Sequence, residues 1–198
     1  MRNLVRAGLA AAFTFAALAV PTAASAALSP QQVAAAAGVT CNFAEPVAFQ
    51  SVWTSKWVAT EKEYTGSSNG MLRANRDAIG NWEKYYLCSK PEWGYDEFAF
   101  LADANAKFVT AEFDYTGSND GMMRARSEVA DVWQRFDLLQ VDYPGAPGQV
   151  IYSIKSTWTN MYATTEVNYT DPRKGMMRVR PDSSYADVWQ LFRMRWLA

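Results

Sequence analysis

The residue types that could do chemistry in this chain are few. The 198 residues include no histidine and two cysteines, together with 20 aspartates and glutamates. Catalysis by Ser-His-Asp or Cys-His groups therefore has no base, and a zinc site built from paired cysteines and histidines, or from cysteines alone, cannot be assembled. Carboxylate pairs, as in glycosidases, are the acid/base groups that remain. The acidic residues are scattered and no spacing singles out a pair, so we expect no enzymatic activity, no metal and no cofactor.

The charge balance excludes another class of function. Lysine and arginine total 19, against 20 acidic residues, for a formal net charge of −1. Nucleic-acid binding domains normally carry a basic surface, and this chain has no excess of basic residues from which to build one. We therefore expect no nucleic-acid partner.

The first 26 residues have the pattern of an export signal. Arg2 and Arg6 precede an apolar run from Ala7 to Val20, which Pro21 ends, and Ala24–Ala26 is a small-residue cleavage site. This pattern predicts a secretory signal peptide at residues 1–26. The alternative is a buried N-terminal helix or a membrane anchor, although the run is short for a bilayer. We expect a secreted protein with no membrane association after cleavage.

Secretion changes how the cysteines are interpreted. Cys41 and Cys88 are an even pair in an oxidising compartment, so a disulfide between them is expected. Two free buried thiols are the alternative.

Internal repetition predicts the architecture. Residues 57–87 align with residues 108–138 without gaps, sharing the frame V-x-x-E-x-x-Y-T-G-S-x-x-G-M-x-R-A, and residues 162–194 form a looser third copy. Each copy shows short aromatic and β-branched strands separated by Gly, Asn and Asp turns, which is typical of an all-β unit of four strands. Three such units predict a β-trefoil, in which six strands close a barrel and three hairpins cap one end. A three-sheet β-prism is the threefold alternative.

The predicted organisation has three parts. Residues 1–26 are the signal peptide, residues 27–45 an N-terminal extension and residues 46–198 the trefoil, with repeats at about 46–90, 97–142 and 149–198. Ser29 and Pro30 predict a short helix through residues 31–37. In a trefoil the first and fourth strands of a unit are neighbours, so Cys41 and Cys88 should meet at one end of the barrel. We expect a monomer.

Alternation along the third strand of each unit predicts which side chains face the core. The inward set is Leu72, Ala74, Met123, Ala125, Met177 and Val179. The outward set is Met71, Arg73, Asn75, Met122, Arg124, Arg126, Met176, Arg178 and Arg180, with Met122 interpreted as surface cover. Core and corner packing is predicted for the recurring aromatics Trp82, Trp133, Trp189, Tyr85, Phe136 and Phe192, and ligand stacking is the alternative.

One segment resembles a known family. Residues 74–85, A-N-R-D-A-I-G-N-W-E-K-Y, resemble the A-N-R-x-x-I-G-x-W-E-x-F signature of fascin-like β-trefoils, and residues 56–61 resemble that family's G-K-Y-L-x-A-E strand. The resemblance implies a secreted bacterial member with a single trefoil. Well-known members bundle actin through several trefoils in tandem, and similar modules in secreted proteins are associated with carbohydrate binding. The Q-x-W signature of ricin-type lectins is absent from the sequence.

These features favour a non-catalytic module that binds a glycan or cell-surface polysaccharide through up to three sites. The predicted ligand-binding residues lie on the hairpins between the second and third strands: Tyr64, Asn69, Arg73, Tyr115, Asp120, Arg124, Tyr169, Lys174 and Arg178. A structural alternative is that Glu61, Glu112 and Glu166 form ion pairs with the three arginines across each hairpin. A functional alternative is a protein-binding module for actin or a protease, in which the loop at residues 143–148 would protrude.

Overall fold

The computed structural model describes residues 27–170, 172–180 and 187–197. The predicted signal peptide lies outside these ranges. Within them, the secondary structure is one helix, α1 (Pro30–Ala37), and thirteen strands: β1 (Thr40–Cys41), β2 (Val47–Ser51), β3 (Trp57–Glu61), β4 (Met71–Arg76), β5 (Tyr85–Ser89), β6 (Glu97–Ala102), β7 (Lys107–Glu112), β8 (Met122–Ser127), β9 (Arg135–Val141), β10 (Ile151–Ser156), β11 (Tyr162–Glu166), β12 (Met176–Arg180) and β13 (Leu191–Trp196). Short 3-10 turns connect several of them.

The predicted N-terminal helix is confirmed. The Ser29 hydroxyl accepts a hydrogen bond from the Gln32 amide, and the Gln32 side chain accepts one from the Ser29 amide, which forms a capping box. Gly38 ends the helix in a left-handed conformation with φ of 66°. Val33 and Ala34 pack against Leu101 and Phe108, so the helix covers the outer side of the sheet.

The strand pairings close into a barrel. Strands β2, β5, β6, β9, β10 and β13 each pair with the next in that order, and β13 pairs with β2 to complete the circuit. All of these pairs are antiparallel. Closure leaves no free edge along the circuit, which removes the usual risk of edge-to-edge association.

Three further hairpins lie beside this circuit and pair with one another. They consist of β3–β4, β7–β8 and β11–β12. Their second strands also pair with one another, through Met71 with Arg124, Met122 with Arg178, and Met176 with Arg73. The hairpins therefore meet at one place, and each contacts both of the others.

The barrel core contains the residues predicted to face inward. Leu72, Ala74, Met123, Ala125, Met177 and Val179 all belong to one buried cluster with the barrel strands. Tyr85, Phe136 and Phe192 are at most 1% exposed in the same cluster, as predicted. The recurring tryptophans lie outside this core cluster: Trp82 and Trp133 are half-buried, and Trp189 is 37% exposed.

The prediction of an exposed outer face on the third strands is wrong for the methionines. Met71, Met122 and Met176 are at most 1% exposed and form a second cluster of their own. The reason is the mutual pairing of β4, β8 and β12, which brings the three outward faces together. Alternation along one strand separates its two faces, but it does not show that both faces are covered.

The N-terminal segment is covalently attached to the barrel. Cys41 and Cys88 form a disulfide and lie opposite each other in the pairing of β1 with β5, as the predicted trefoil required. The bridge spans a sequence separation of 47 residues. No helix in the described ranges has the length and apolar character needed to cross a membrane.

The loop at residues 143–148, which joins β9 to β10, folds back on the barrel. The Ala146 amide donates to the Tyr143 carbonyl at 3.0 Å, and Ala146 is 5% exposed. Ala146 packs with Ile151 and Leu191. Ala146 thus anchors the loop to the barrel, and the protein-binding alternative stays a prediction.

Candidate functional site

The nine predicted ligand-binding residues come together where the three hairpins meet. The Tyr64, Tyr115 and Tyr169 rings pack against the cluster of three buried methionines. These tyrosines are half-buried, whereas the side chains of Asn69, Asp120 and Lys174 lie nearer the solvent. The arrangement is therefore one shared surface, which we call the hairpin face, with the methionines beneath it.

The three arginines are buried beneath this face. Arg73, Arg124 and Arg178 are 6–7% exposed. In each repeat the arginine Nη1 donates to the tyrosine hydroxyl of the same repeat, at 2.8 Å from Arg124 to Tyr115 and 2.9 Å from Arg178 to Tyr169, with the same pairing from Arg73 to Tyr64. Buried guanidinium groups require such partners, because an unpaired buried charge is very costly.

Each arginine also connects its repeat to a neighbouring one. Its Nε donates to a backbone carbonyl of another hairpin, and the three bonds form a closed cycle. They run from Arg73 to Lys174 at 2.9 Å, from Arg124 to Asn69 at 2.9 Å and from Arg178 to Asp120 at 2.7 Å. The recurring Tyr-Arg pattern thus has a structural use in every repeat, and ligand binding by these nine residues stays a prediction.

The structural alternative is present as a set of ion pairs. Glu61 lies 3.7 Å from Arg73 and 3.1 Å from Arg76, and Glu166 lies 3.5 Å from Arg178 and 3.0 Å from Arg180. These carboxylates are 3–7% exposed, so the pairs differ from ordinary surface salt bridges.

In the second repeat, the corresponding glutamate has fewer hydrogen-bond and ion-pair partners. Glu112 contacts Arg126 at 3.1 Å, and its Oε1 has no hydrogen-bond partner among the described residues. Burial raises the pKa of Glu112, and the nearby charges of Arg126 and Arg124 offset only part of that effect.

A feature that sequence reasoning did not identify lies at the junctions between repeats. Trp53, in the turn after β2, packs against Trp189, in the turn before β13, with ring centroids 4.7 Å apart. Trp158, in the turn after β10, stacks on Trp133 at 6.2 Å with an interplanar angle of 22°. Trp53, Trp158 and Trp189 are 37–55% exposed. We call these two groups the tryptophan pairs.

Capped turns hold one tryptophan of each pair. The Asp187 carboxylate accepts from the Val188 amide at 2.6 Å, and the Gln190 side chain accepts from the Asp187 amide. The Trp189 indole Nε1 donates to Asp187 at 2.9 Å. Residues 131–134 repeat this capping box around Trp133. The backbone that carries each ring is therefore held in place before any ligand binds, which limits the ordering cost of binding.

The third junction lacks a pair. Trp82 has the Arg76 guanidinium 5.2 Å from its ring centroid and the Lys62 ammonium at 5.7 Å. The position corresponding to Trp53 in the next repeat is Ala104. Two junctions thus present paired indoles, and the third presents one indole covered by cations.

Polar groups lie beside one pair. A cavity of about 230 Å³ next to Trp189 is lined by Glu166, Asn168, Arg180, Asp187 and Gln190, among others. An indole face beside carboxylate, amide and guanidinium groups can stack a ring and hydrogen-bond its substituents. In the described part of the chain, no group of three or more Asp, Glu, Cys or His side chains is placed to hold a metal ion.

Comparison with known proteins defines the class of fold. No family model matches the chain, and no curated protein sequence matches it. Among solved structures, it is similar to the designed threefold-symmetric protein ThreeFoil, with a TM-score of 0.55 and 15% identity over 75% of this chain and 96% of that one. It is also similar to a GlcNAcα1-4Gal releasing endo-β-galactosidase from Clostridium perfringens, with a TM-score of 0.56 and 9% identity.

The second match covers 78% of this chain but 33% of the enzyme, so this chain corresponds to one third of that protein's length. At these identities the similarity concerns the fold. Together with the closed strand circuit and the three hairpins, it defines a trefoil-like, all-β protein stabilised by the Cys41–Cys88 disulfide.

Proposed function

We propose that this protein is a secreted, non-catalytic β-trefoil of the fascin-like type that binds carbohydrate. The observation that carries the proposal is the presence of two partly exposed tryptophan pairs at corresponding junctions of the repeats. Exposed indoles are unusual unless they contact something, because burying an aromatic ring is strongly favourable. A sugar ring has an apolar face that suits an indole and a hydroxyl edge that suits the polar groups beside Trp189.

Several other features support the proposal. The pattern of residues 1–26 is that of an export signal, and the Cys41–Cys88 disulfide fits an oxidising compartment. The trefoil-like fold is shared with a protein that releases GlcNAcα1-4Gal, although function does not follow from fold alone.

The expected number of principal sites is two. The sequence favoured up to three equivalent sites, but the junction at Trp82 has cations over the ring and Ala104 in place of a second indole. Two weak sites on one rigid body still raise the avidity for a polymeric ligand well above that of one site. A polysaccharide with many repeating units is therefore a better ligand than a single sugar.

The test is binding of the purified protein to insoluble polysaccharides and a glycan array. We expect saturable binding that falls at least tenfold when Trp53→Ala and Trp158→Ala are combined. Both side chains are about half exposed, so the variant should fold. Val129→Ala, at an apolar residue 58% exposed, is the matched control and should bind normally.

A second variant separates the tryptophan pairs from the hairpin face. Asp120→Ala combined with Lys174→Ala removes two side chains while keeping the backbone carbonyls that the arginines use. Binding should be unchanged. A loss of binding here, with normal binding by the tryptophan variant, would move the site to the hairpin face.

The protein-binding alternative is tested alongside. Co-sedimentation with filamentous actin should give no enrichment of the protein in the pellet. Pelleting with actin in the absence of any glycan binding would overturn the carbohydrate proposal in favour of a fascin-like activity.

A further inference from the structure

The barrel end opposite the hairpins has an incompletely covered core. Phe49, Phe100 and Ile154 lie deep in the barrel and are 2–3% exposed. One step towards the open end, Val47 is fully buried, whereas Phe98 and Tyr152 are only partly buried. The apolar interior is therefore accessible from this end, which we call the barrel mouth.

A cavity of about 640 Å³ occupies the barrel mouth. Leu87, Phe98, Leu138 and Tyr152 supply its inner wall, and β1 with the disulfide at Cys41 forms one side. Such a volume falls in the range of small-molecule sites, which are mostly apolar with a few polar groups.

The rim carries aromatic and polar side chains. Tyr95 is 97% exposed and Trp196 is 48% exposed, and both line the cavity. Asn42, Ser89 and Gln140 also line it, and their side chains form no hydrogen bond with any described residue. These groups are available to a ligand.

The fold does not require this set of residues. The repeat alignment places Tyr152 at the position of Val47 and Phe98, and Trp196 at the position of Ser89 and Gln140. The pairing of Trp196 with Val47 and of Tyr152 with Gln140 agrees with this alignment. The same structural position is thus occupied by valine, phenylalanine and tyrosine, or by serine, glutamine and tryptophan. Packing alone does not explain why aromatic rings occupy three of these six positions.

The charge around the cavity restricts the ligand. Asp96 is the charged side chain among the described lining residues, and no lysine or arginine is among them. An anionic ligand would lose hydration without gaining a cationic partner. The lining suits a neutral ring that can stack on an aromatic face and hydrogen-bond at its edge.

We propose that the barrel mouth is a binding site, one per molecule and separate from the tryptophan pairs, for an uncharged ring compound with an apolar face and a hydroxyl-bearing edge. A single neutral sugar and a phenolic ring share this chemistry. The site does not depend on the tryptophan pairs, and it stands even where polysaccharide binding is absent.

The test is an amide-correlation NMR titration of the purified protein with methyl glucoside, methyl galactoside and phenol as separate probes, and acetate as the anionic probe. We expect a neutral probe to shift the signals of Ser89, Phe98, Gln140 and the Trp196 indole in a saturable way. Shifts with the glycosides alone or with phenol alone identify which source of the ring the mouth accepts.

Variants complete the test. Trp196→Ala together with Tyr95→Ala should weaken binding of that probe at least tenfold, and both side chains are exposed enough for the variant to fold. Trp53→Ala with Trp158→Ala should leave it unchanged, which separates this site from the proposed function. The proposal is overturned where no neutral probe shifts the mouth signals, where acetate shifts them equally, or where the mouth variant binds as well as the parent.

Discussion

Three glycines mark the closest approach of one hairpin to another. Gly70, Gly121 and Gly175 have φ of 71–80°, and their carbonyls accept hydrogen bonds from Ala125, Val179 and Ala74 of neighbouring hairpins at 2.7–2.8 Å. A Cβ at Gly121 would lie 2.1 Å from the Val179 carbonyl oxygen. Glycine is needed at these positions for both conformation and space.

Gly121→Ala should therefore destabilise the protein severely. The matched control is Gly117→Ala, where φ is 64° but nothing lies within 4 Å of the added Cβ. Gly117→Ala should cost roughly 1–2 kcal/mol from the left-handed backbone. Gly121→Ala should cost about 1–3 kcal/mol more, because the backbone must move. Urea unfolding of both variants measures the difference, and equal losses would contradict the close-approach argument.

A carboxylate on the barrel wall predicts a pH effect. Burial raises the pKa of Asp137, the neighbouring carboxylate of Glu97 raises it further, and Lys155 offsets part of the shift. A raised pKa means that the folded protein holds the proton more tightly than the unfolded chain. Stability should thus decrease as pH rises from the ordinary aspartate range through the raised value.

Asp137→Asn removes this pH effect. We expect a higher Tm than the parent at pH 7 and no gain at pH 3, measured by thermal unfolding at both values. Asp142→Asn, at an exposed residue, is the control and should change neither value appreciably. A loss of stability at pH 7 would show that the attraction to Lys155 outweighs the cost of burial.

At the residue scale, sequence reasoning identified conspicuous residues but not their environments. Each repeat offered a tyrosine and an arginine as candidate ligand-binding residues, and in the structure the arginine donates to the hydroxyl of that tyrosine. Their burial depends on contacts between hairpins more than 50 residues apart in the chain, and alternation within a strand carries no information on such contacts. Trp53 and Trp158 lie in turns that carry no distinctive sequence motif. Closure of the barrel is what places them against Trp189 and Trp133.

The elements themselves were largely predictable. The short alternating segments that the sequence predicted as strands are strands in the structure, as β6, β7, β8 and β9 show for the second repeat. Local signals sufficed because each strand lies between turn residues and carries period-2 alternation. The helix α1 was predictable because its capping residues are adjacent in sequence.

The disulfide gives a prediction at this scale. The bridge between β1 and β5 constrains the unfolded chain across a sequence separation of 47 residues, which should stabilise the fold by about 4 kcal/mol in the chain-entropy estimate. Replacing both cysteines, Cys41→Ser with Cys88→Ser, should lower the urea midpoint correspondingly. An unchanged midpoint would contradict this chain-entropy argument.

At the scale of the whole molecule, repetition is the feature that matters most for function. The repeats correctly predicted a closed all-β fold with three hairpins, because three similar units can bury their faces only against one another. They also suggested three equivalent sites. The differences among repeats, Ala104 against Trp53 and Trp158 above all, could be interpreted only once the junctions were seen in space.

The three repeats share one framework, but only two of their junctions carry a tryptophan pair. The barrel mouth is a separate feature, at which the repeats also differ in their side chains. Framework residues recur in every repeat: the glycines at the hairpin contacts, and the arginines with their tyrosines. The proposed ligand-binding groups do not recur fully, which fits a division between residues that maintain the fold and residues that contact a ligand.

The most direct test of this account follows the indole signals of the eight tryptophans by NMR during titration with a polysaccharide fragment that the protein binds. If the tryptophan pairs bind carbohydrate, the signals of Trp53, Trp189, Trp133 and Trp158 should shift in a saturable way. Trp53→Ala should then abolish the response of Trp189 while Trp133 and Trp158 still respond. A response confined to other tryptophans, or one that Trp53→Ala leaves intact at Trp189, would contradict the claim that the tryptophan pairs bind carbohydrate.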